Sequence, residues 1–343
     1  MHIVNLALLS GHTAESHSQA EAYWKAKLGN TPMPKAIIDS LEVDAQGLEA
    51  ANIDESDLER MTTVYDQRYA LPSKVDPSTN DEGDKIDAQG LEVTDIEKHA
   101  LEMIPIFYSR RTPASTIARV GLDIFFLSNH LTHPGGKLKL HFDRGSKSKF
   151  LPFQVAKSFP FSHDKVPEIL NLFSVRPDSA QAKLMKETII GCEESAVGGE
   201  DNKYCATSLE DLVDYVVSNI GNQVKVLSTS IDKDVTTEYT IEKAQKVSSD
   251  GNFVCHKMRY PYAVFHCHKI RDTDAYVVSL IDANGQKSKA AAVCHRDTSS
   301  WNPELFNLLK IKPGSAPICH FVAADDMIWT WNDMPLTTQA QSL

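Results

Sequence analysis

The sequence has no uninterrupted apolar run long enough to cross a membrane as a helix. The mostly apolar stretch at 3–9 is far shorter than the roughly 18 residues that such a helix needs, so we expect no membrane-spanning segment. This stretch resembles the tail of a signal-peptide core followed by small and polar residues. Such an arrangement is consistent with a sequence trimmed at its start.

Basic residues are scarce relative to acidic ones. The chain of 343 residues carries 35 Lys and Arg against 46 Asp and Glu, a net charge of −11. Nucleic acids and anionic membranes are bound through clustered positive charge that displaces counterions. We therefore expect no nucleic acid and no membrane as a partner. With 42% hydrophobic residues, the chain can bury one large core or two smaller ones.

Cysteine is absent from the first 191 residues, and all six cysteines lie between Cys192 and Cys319. An even number in one region fits three disulfides formed in an oxidising compartment. The alternative is a set of unpaired cytosolic thiols. Cysteine count alone leaves both interpretations open.

The composition changes near residue 115. Residues 40–100 are acidic and poor in aromatics, which predicts a loosely ordered or helical, solvated segment. Beyond residue 115, we predict two β-hairpins, one that pairs 239–247 with 252–258 and one that pairs 276–281 with 287–293. We also predict helices at 166–173, 180–190, 208–220 and 302–309. The sequence thus predicts a leader and acidic region at 1–115, an α+β domain of mainly antiparallel strands at 116–335, and a tail at 336–343.

The acidic region contains a repeat. Residues 44–49 recur as residues 87–92, and the same offset of 43 places Tyr65 in register with Tyr108. Two copies are too few to build a solenoid. One interpretation is therefore a duplicated helical spacer.

Four Cys-His dipeptides dominate the second half of the chain. They are Cys255-His256, Cys267-His268, Cys294-His295 and Cys319-His320, separated by 10, 25 and 23 residues. Adjacent residues on a strand point to opposite faces, so each pair separates its sulfur from its imidazole. A turn about Pro261 would place Cys255 opposite Cys267 and His256 opposite His266. His256, His266 and His268 would then share one face.

The redox state of the cysteines decides which metal these residues favour. Reduced thiols would give mixed Cys and His ligands, which suit zinc. Oxidised cysteines would leave an imidazole-rich site, which favours Cu(II) by ligand type and by the Irving–Williams order. Cys192 and Cys205 lack a following histidine, and we expect them to form a structural bridge that closes a short loop.

These motifs together resemble the plant BURP-domain family. The resemblance rests on Phe125-Phe126, GCEES at 191–195, YCATSL at 204–209, RDT at 271–273 and CHRDT at 294–298, besides the spaced Cys-His pairs. Residues 22–25 and 30–35 resemble the leader of seed-protein-type members. The resemblance covers about residues 20–331. The last spacing of 23 residues is slightly shorter than the family pattern, which affects a loop and keeps the pair.

The resemblance implies a protein of the secretory pathway, located in the apoplast or the vacuole. It implies that the pair cysteines form disulfides and that His256, His268, His295 and His320 bind copper as the catalytic ligands. His266 is a further candidate ligand by strand parity. Some family members are copper-dependent peptide cyclases that crosslink a core peptide in their own N-terminal region, with dioxygen as oxidant. The alternative is a non-catalytic secreted seed or cell-wall protein with a structural metal or disulfide site.

The candidate core of such a cyclase is the repeat region. Tyr65 and Tyr108 are the candidate crosslinking residues, with Thr63 and Ile106 supplying the carbon partners. Trp24 in the leader is the sole tryptophan of the N-terminal region, so a Trp-linked core is not available there. The alternative is that residues 104–107 form an alternating strand that enters the folded domain.

Overall fold

A computed structural model of the chain describes residues 13–41, 125–133, 135–140, 142, 146–193, 200–231 and 237–331. The candidate core residues Thr63, Tyr65, Ile106 and Tyr108 lie outside these ranges, as do the acidic repeat and the predicted tail. The helices are α1 (Thr13–Leu28), α2 (Lys35–Leu41), α3 (Asn129–Thr132), α4 (Phe153–Ser158), α5 (Val166–Leu172), α6 (Ala180–Glu193), α7 (Leu209–Ile220) and α8 (Pro303–Leu309). A 3₁₀ turn at His163–Lys165 precedes α5.

The strands form two antiparallel sheets. They are β1 (Phe125–Leu127), β2 (Lys137–Leu140), β3 (Glu200–Ala206), β4 (Val224–Ser228), β5 (Thr237–Ser249), β6 (Asn252–Lys257), β7 (Phe265–Ile270), β8 (Thr273–Asp282), β9 (Lys287–His295), β10 (Ile318–Phe321) and β11 (Met327–Trp331). Sheet A has the order β1-β10-β9-β8-β5-β2, and sheet B has the order β3-β7-β6-β11-β4. This confirms the predicted α+β class with mainly antiparallel strands.

The two sheets pack face to face through a small apolar layer, which we call the inter-sheet layer. It consists of Val254, Ile270 and Ile328 from sheet B with Ala275, Ala291, Val293 and Val322 from sheet A and the segment after it. Strands β6 and β9 carry buried side chains on both faces, as expected for strands covered on both sides. Larger apolar clusters cover the outer face of each sheet.

The predicted hairpin between 276–281 and 287–293 is confirmed. Strands β8 and β9 pair antiparallel from Ile281 opposite Lys287 onwards. The turn uses Gly285 at a φ of 78°, a conformation that costs glycine little. The Asp282 carboxylate accepts hydrogen bonds from the backbone N–H groups of Asn284 and Gln286, both at 2.9 Å.

The predicted hairpin between 239–247 and 252–258 is wrong. Asp250 and Gly251 do form a tight turn, with φ values of 62° and 64°. However, β5 pairs with β8 in sheet A, whereas β6 pairs with β7 and β11 in sheet B. The turn is therefore a corner between sheets. Strand β6 has buried side chains on both of its faces and therefore needs a central position in a sheet. Pairing with the partly exposed β5 would not give it that position.

The four predicted helices in the folded domain are present as α5, α6, α7 and α8. In α7, the Ser208 side chain caps the helix by accepting a hydrogen bond from Asp211 N at 3.1 Å. In α8, Asn302 accepts a hydrogen bond from Glu304 N at 3.0 Å, and Pro303 occupies the first turn. Capping chemistry therefore sets where these helices begin.

The N-terminal helices share a core with sheet B. Trp24 of α1 is 3% exposed and lies 5.5 Å from Trp329 of β11, measured between ring centroids. Its indole N–H donates to the Thr31 carbonyl at 2.8 Å. Residues of α1, α2, α7 and the outer face of sheet B form one cluster. The predicted division at residue 115 lies outside the described residues and stays a prediction.

Three disulfides use all six cysteines. Cys192–Cys205 joins α6 to β3, as predicted from the sequence. The other two each join directly opposed residues on neighbouring strands. They are Cys255–Cys267 between β6 and β7 and Cys294–Cys319 between β9 and β10, with Cα–Cα distances of 4.0 and 3.9 Å.

We predict that the denatured, unreduced protein shows no reactive thiol in a titration with a thiol reagent. Reduction should lower the free energy of unfolding by about 2 to 5 kcal/mol for each bridge lost, because the unfolded chain gains conformational freedom. Urea unfolding with and without reductant measures this effect. Two or more reactive thiols before reduction would contradict the pairing.

Candidate metal centre

The histidines of the four Cys-His pairs all continue the inter-sheet layer. Strand alternation places each of them two residues from a member of that layer. The pairs of neighbours are His256 with Val254, His268 with Ile270, His295 with Val293 and His320 with Val322. The cysteines point the other way, into the clusters on the outer faces. The predicted separation of sulfur from imidazole is confirmed.

In sheet B, three imidazoles lie on one face. Cys255 is opposite Cys267 and His256 is opposite His266 across the β6–β7 ladder, which confirms the predicted register. The His268 ring stacks with those of His256 and His266, each at a centroid distance of 5.4 Å. His268 therefore contacts both of the other rings.

Sheet A supplies the same arrangement from β9 and β10. Cys294 is opposite Cys319, and the rings of His295 and His320 stack at 5.4 Å between centroids. Their Nε2 atoms are 3.2 Å apart. Two nitrogens that share an ion at about 2 Å have a separation of this size.

The two groups of histidines influence each other across the sheets. Burial lowers the pKa of His268 well below its usual range, with smaller contributions from His256, His266, Lys203 and His295. Burial also lowers the pKa of His295, with a contribution from His320. The pKa of His320 falls to about 4, mainly through burial. These imidazoles are therefore neutral at neutral pH, the form that binds metals.

Two of the rings have their tautomers set by neighbouring oxygens. His320 Nδ1 lies 2.9 Å from the Phe321 carbonyl, which can only accept, so Nδ1–H donates. His256 Nδ1 lies 2.7 Å from Asp326 Oδ2. In the neutral rings, these contacts leave the lone pair on Nε2. Metal-binding histidines commonly have an orienting contact of this kind.

Asp326 and Trp301 were not identified from the sequence. Asp326 lies in the short segment between β10 and β11, and its Oδ1 accepts from Lys257 N at 3.1 Å. The Trp301 ring lies 5.0 Å from that of His295, and the Phe125 ring lies 6.0 Å from that of His320. Asp326 follows Asp325 shortly after the last Cys-His pair, a signal that could have suggested an acidic partner for a histidine.

The donors fit a copper ion in kind. Neutral imidazoles with oriented rings are suitable ligands, and thiolates are not available because all six cysteines are in disulfides. The mixed Cys and His zinc site considered from the sequence is therefore disfavoured. Among the described residues, no three His, Cys, Asp or Glu side chains already form a group that could hold a metal. The His295 and His320 nitrogens form a close pair, while His256, His266 and His268 share one face of sheet B.

Comparison with known proteins identifies the family. A family model for the BURP domain matches residues 124–331, which is more than half of the chain. The chain belongs to the BURP-domain family. It is 43% identical to BURP domain protein RD22 of Arabidopsis thaliana over 217 residues, covering 60% of this chain and 55% of the relative. The same identity holds over 217 residues with BURP domain-containing protein 3 of Oryza sativa subsp. japonica, covering 60% of this chain and 50% of that protein.

The chain thus spans about half the length of these two BURP-domain relatives. Protein RAFTIN 1B of Triticum aestivum aligns more extensively, with 31% identity over 341 residues, covering 94% of this chain and 92% of the relative. These relatives are plant proteins, as the resemblance implied. Within the part of the chain that the structure describes, no helix is long and apolar enough to cross a membrane.

The BURP motifs RDT (271–273) and CHRDT (294–298) meet at the corners between the sheets. Arg296 Nη1 donates to Asp274 at 2.8 Å, and Nη2 contacts Asp250 at the β5–β6 corner. Arg296 N also donates to the Asp272 carbonyl at the β7–β8 corner, at 2.8 Å. Arg296 therefore holds together both corners and the strand that carries His295.

We predict that Arg296→Met lowers the free energy of unfolding by about 1 to 2 kcal/mol, because it removes charged hydrogen bonds to the largely buried Asp274. The matched control is Lys287→Met, since Lys287 has a side chain 68% exposed and forms one ion pair with Glu242. The control should change the free energy by less than about 0.5 kcal/mol. Urea unfolding measures both variants, and equal effects would refute the bracing role of Arg296.

Proposed function

We propose that this BURP-domain protein is a copper-dependent peptide cyclase that crosslinks a peptide in its own N-terminal region, with dioxygen as oxidant. The observation that carries the proposal is the convergence of the four Cys-His histidines from both sheets into one layer. Four imidazoles with no available thiolate are a donor set suited to Cu(II). The three disulfides support a location in the secretory pathway, such as the apoplast or the vacuole.

His256, His268, His295 and His320 would hold the ion, with His266 as a further candidate ligand. Bound copper would supply one-electron redox chemistry with dioxygen, which zinc does not support. Asp326 and the Phe321 carbonyl orient the rings of His256 and His320. The apolar residues behind the histidines would limit the access of water to that side of the site.

The substrate would be a tyrosine of the repeat region. Tyr65 and Tyr108 are the candidates, with carbon atoms of Thr63 and Ile106 as their partners. One C–H bond of the partner and one O–H or ring C–H bond of the tyrosine would break, and one new bond would join the two residues. The two electrons and two protons released would reduce dioxygen to hydrogen peroxide. Tethering the substrate to the site raises its effective concentration to about the millimolar range.

We predict that the wild-type protein binds Cu(II) stoichiometrically with nitrogen ligands. Asp326→Asn should weaken this binding by about 10- to 100-fold, because the carboxylate that orients His256 is lost. Asp164→Asn is the matched control, since Asp164 is exposed and bonds to Ser162 away from the histidines. Titration calorimetry against a competing chelator measures affinity.

Electron paramagnetic resonance of the copper-loaded protein should show nitrogen coupling without thiolate character. The absence of stoichiometric binding, or a spectrum dominated by thiolate, would contradict the proposed copper centre.

We predict that the disulfide-bonded protein, incubated with Cu(II) under air, loses two hydrogens for each crosslink formed. Tandem mass spectrometry should map the loss to residues 60–112. Tyr65→Phe or Tyr108→Phe should abolish the product at whichever tyrosine is used, because phenylalanine lacks the phenolic hydroxyl. Copper affinity should remain unchanged in both variants, which makes each a control for the integrity of the site.

A loss mapped outside residues 60–112 would exclude these tyrosines as the core. No loss in a protein that binds copper with wild-type affinity would favour the non-catalytic secreted alternative, in which the metal or the disulfides serve structure alone.

A further inference from the structure

The last turn of α2 is held at the end of the sandwich that carries the histidines. The Ser40 side chain is fully buried, and its hydroxyl oxygen accepts a hydrogen bond from Lys257 Nζ at 2.8 Å. The Ser40 carbonyl accepts from Phe150 N at 2.9 Å, and the Asp39 carbonyl accepts from Lys149 Nζ at 2.6 Å. The carbonyl groups at the end of this helix therefore bind to the folded domain.

Lys257 links this helix end to the candidate metal centre. Its side chain lies on the outer face of sheet B, where Nζ also donates to the Ser146 carbonyl at 2.9 Å. Its backbone N–H donates to Asp326, the same carboxylate that orients His256. The residue that contacts Ser40 is thus the sequence neighbour of His256, which lies on the opposite face of the strand.

The preceding helix anchors the leader on the same sheet. Trp24 is buried against Trp329, and the Thr31 hydroxyl donates to the Val224 carbonyl of β4 at 3.2 Å. Lys27 forms an ion pair with Asp214 of α7 at 2.6 Å. These contacts connect the leader to elements far along the chain, so they do not depend on the sequence that directly follows it.

The described chain resumes beside the same site. Phe125 begins β1 directly opposite His320, and the two rings are 6.0 Å apart. The residues between Leu41 and Phe125 are therefore attached at one end near Lys257 and at the other end near His320. The first point is held by the residue that follows His256, and the second lies beside the His320 ring.

We propose that α1 and α2 form a docking element that presents the peptide following Leu41 to the histidine site, with Lys257 as the positioning residue. The ligand of the surface formed by α7 and the outer face of sheet B is the leader helix pair itself. The role of the presented peptide as a substrate rests on the proposed function, whereas the docking of α1 and α2 does not. Docking should persist after the covalent link between the leader and the domain is cut.

The test uses the full chain with a protease site inserted between Asn80 and Asp81, cleaved after folding. We expect the leader fragment to co-elute with the domain in size-exclusion chromatography. Trp24→Ala should release the fragment, whereas Trp331→Ala should retain it, because Trp331 is 53% exposed on the same sheet. Release of the wild-type fragment would overturn the proposal and leave the proposed cyclase activity of the uncut chain untouched.

Since Trp24→Ala also removes core volume, a charge swap provides a second probe. Lys27→Glu should raise the dissociation constant of the fragment several-fold, and adding Asp214→Lys should restore it. Failure of both Trp24→Ala and Lys27→Glu to weaken retention would show that the leader is held by other means, which would overturn the assigned docking contacts.

Lys257 is tested by hydrogen exchange on the uncut, metal-free protein. Lys257→Met should reduce protection of peptides from 35–41 by at least tenfold while leaving those from 20–28 protected. Lys257→Arg keeps a donor and should restore protection, and Lys225→Met, an exposed site on β4, should have no effect. Unchanged protection at 35–41 in Lys257→Met would refute the positioning role.

The positioning role is then tested in the copper-loaded chain. Lys257→Met should lower the rate of hydrogen loss at least tenfold without changing copper affinity more than twofold. If the wild-type chain shows no hydrogen loss, the proposed function fails, while the elution and exchange experiments still decide the docking.

Discussion

The register of two short β-ladders is the constraint on which the histidine layer depends. In both β6–β7 and β9–β10, a disulfide joins directly opposed residues, and each cysteine is followed by a histidine. A slip of one residue in either ladder would turn its imidazoles to the outer face. The disulfides therefore fix the orientation of side chains to which they are not bonded. The two ladders repeat one arrangement, with a disulfide on one face and stacked imidazole rings on the other.

The layer between the sheets has two different halves. One half is closed by small and branched apolar side chains, and the other contains the histidines. His268 and His320 are 7% and 6% exposed, whereas His256, His266 and His295 are partly exposed. Burial makes His268, His295 and His320 resist protonation, because their charged forms would be poorly solvated there. The His256 side chain is 32% exposed and can be reached from solvent.

Strand alternation allowed much of the site to be predicted. The pairing about Pro261, the common face of His256, His266 and His268, and the Cys192–Cys205 bridge follow from local rules. The β5–β6 hairpin was wrong because the Asp250–Gly251 turn has the chemistry of a hairpin, while burial on both faces of β6 decides which sheet it joins. The proximity of Trp301 and Asp326 to the histidines depends on packing between distant segments. The docking of Trp24 against Trp329 does so too, and strand alternation does not predict such contacts.

Strands β5 and β8 pair with each other in sheet A, and the β6–β7 hairpin that lies between them in sequence belongs to sheet B. The chain leaves sheet A at the Asp250–Gly251 corner and returns to it at the Asp272 corner. The hairpin joins residues close in sequence, and so does the neighbouring β8–β9 pair. Contacts of low sequence separation generally form early in folding. By contrast, β1 pairs with β10, and more than half of the chain separates the two strands in sequence. The halves of the histidine layer can therefore form as separate local units before the edge strand closes over them. All five imidazoles lie within residues 256–320, so one continuous segment of the chain supplies every ring of the layer.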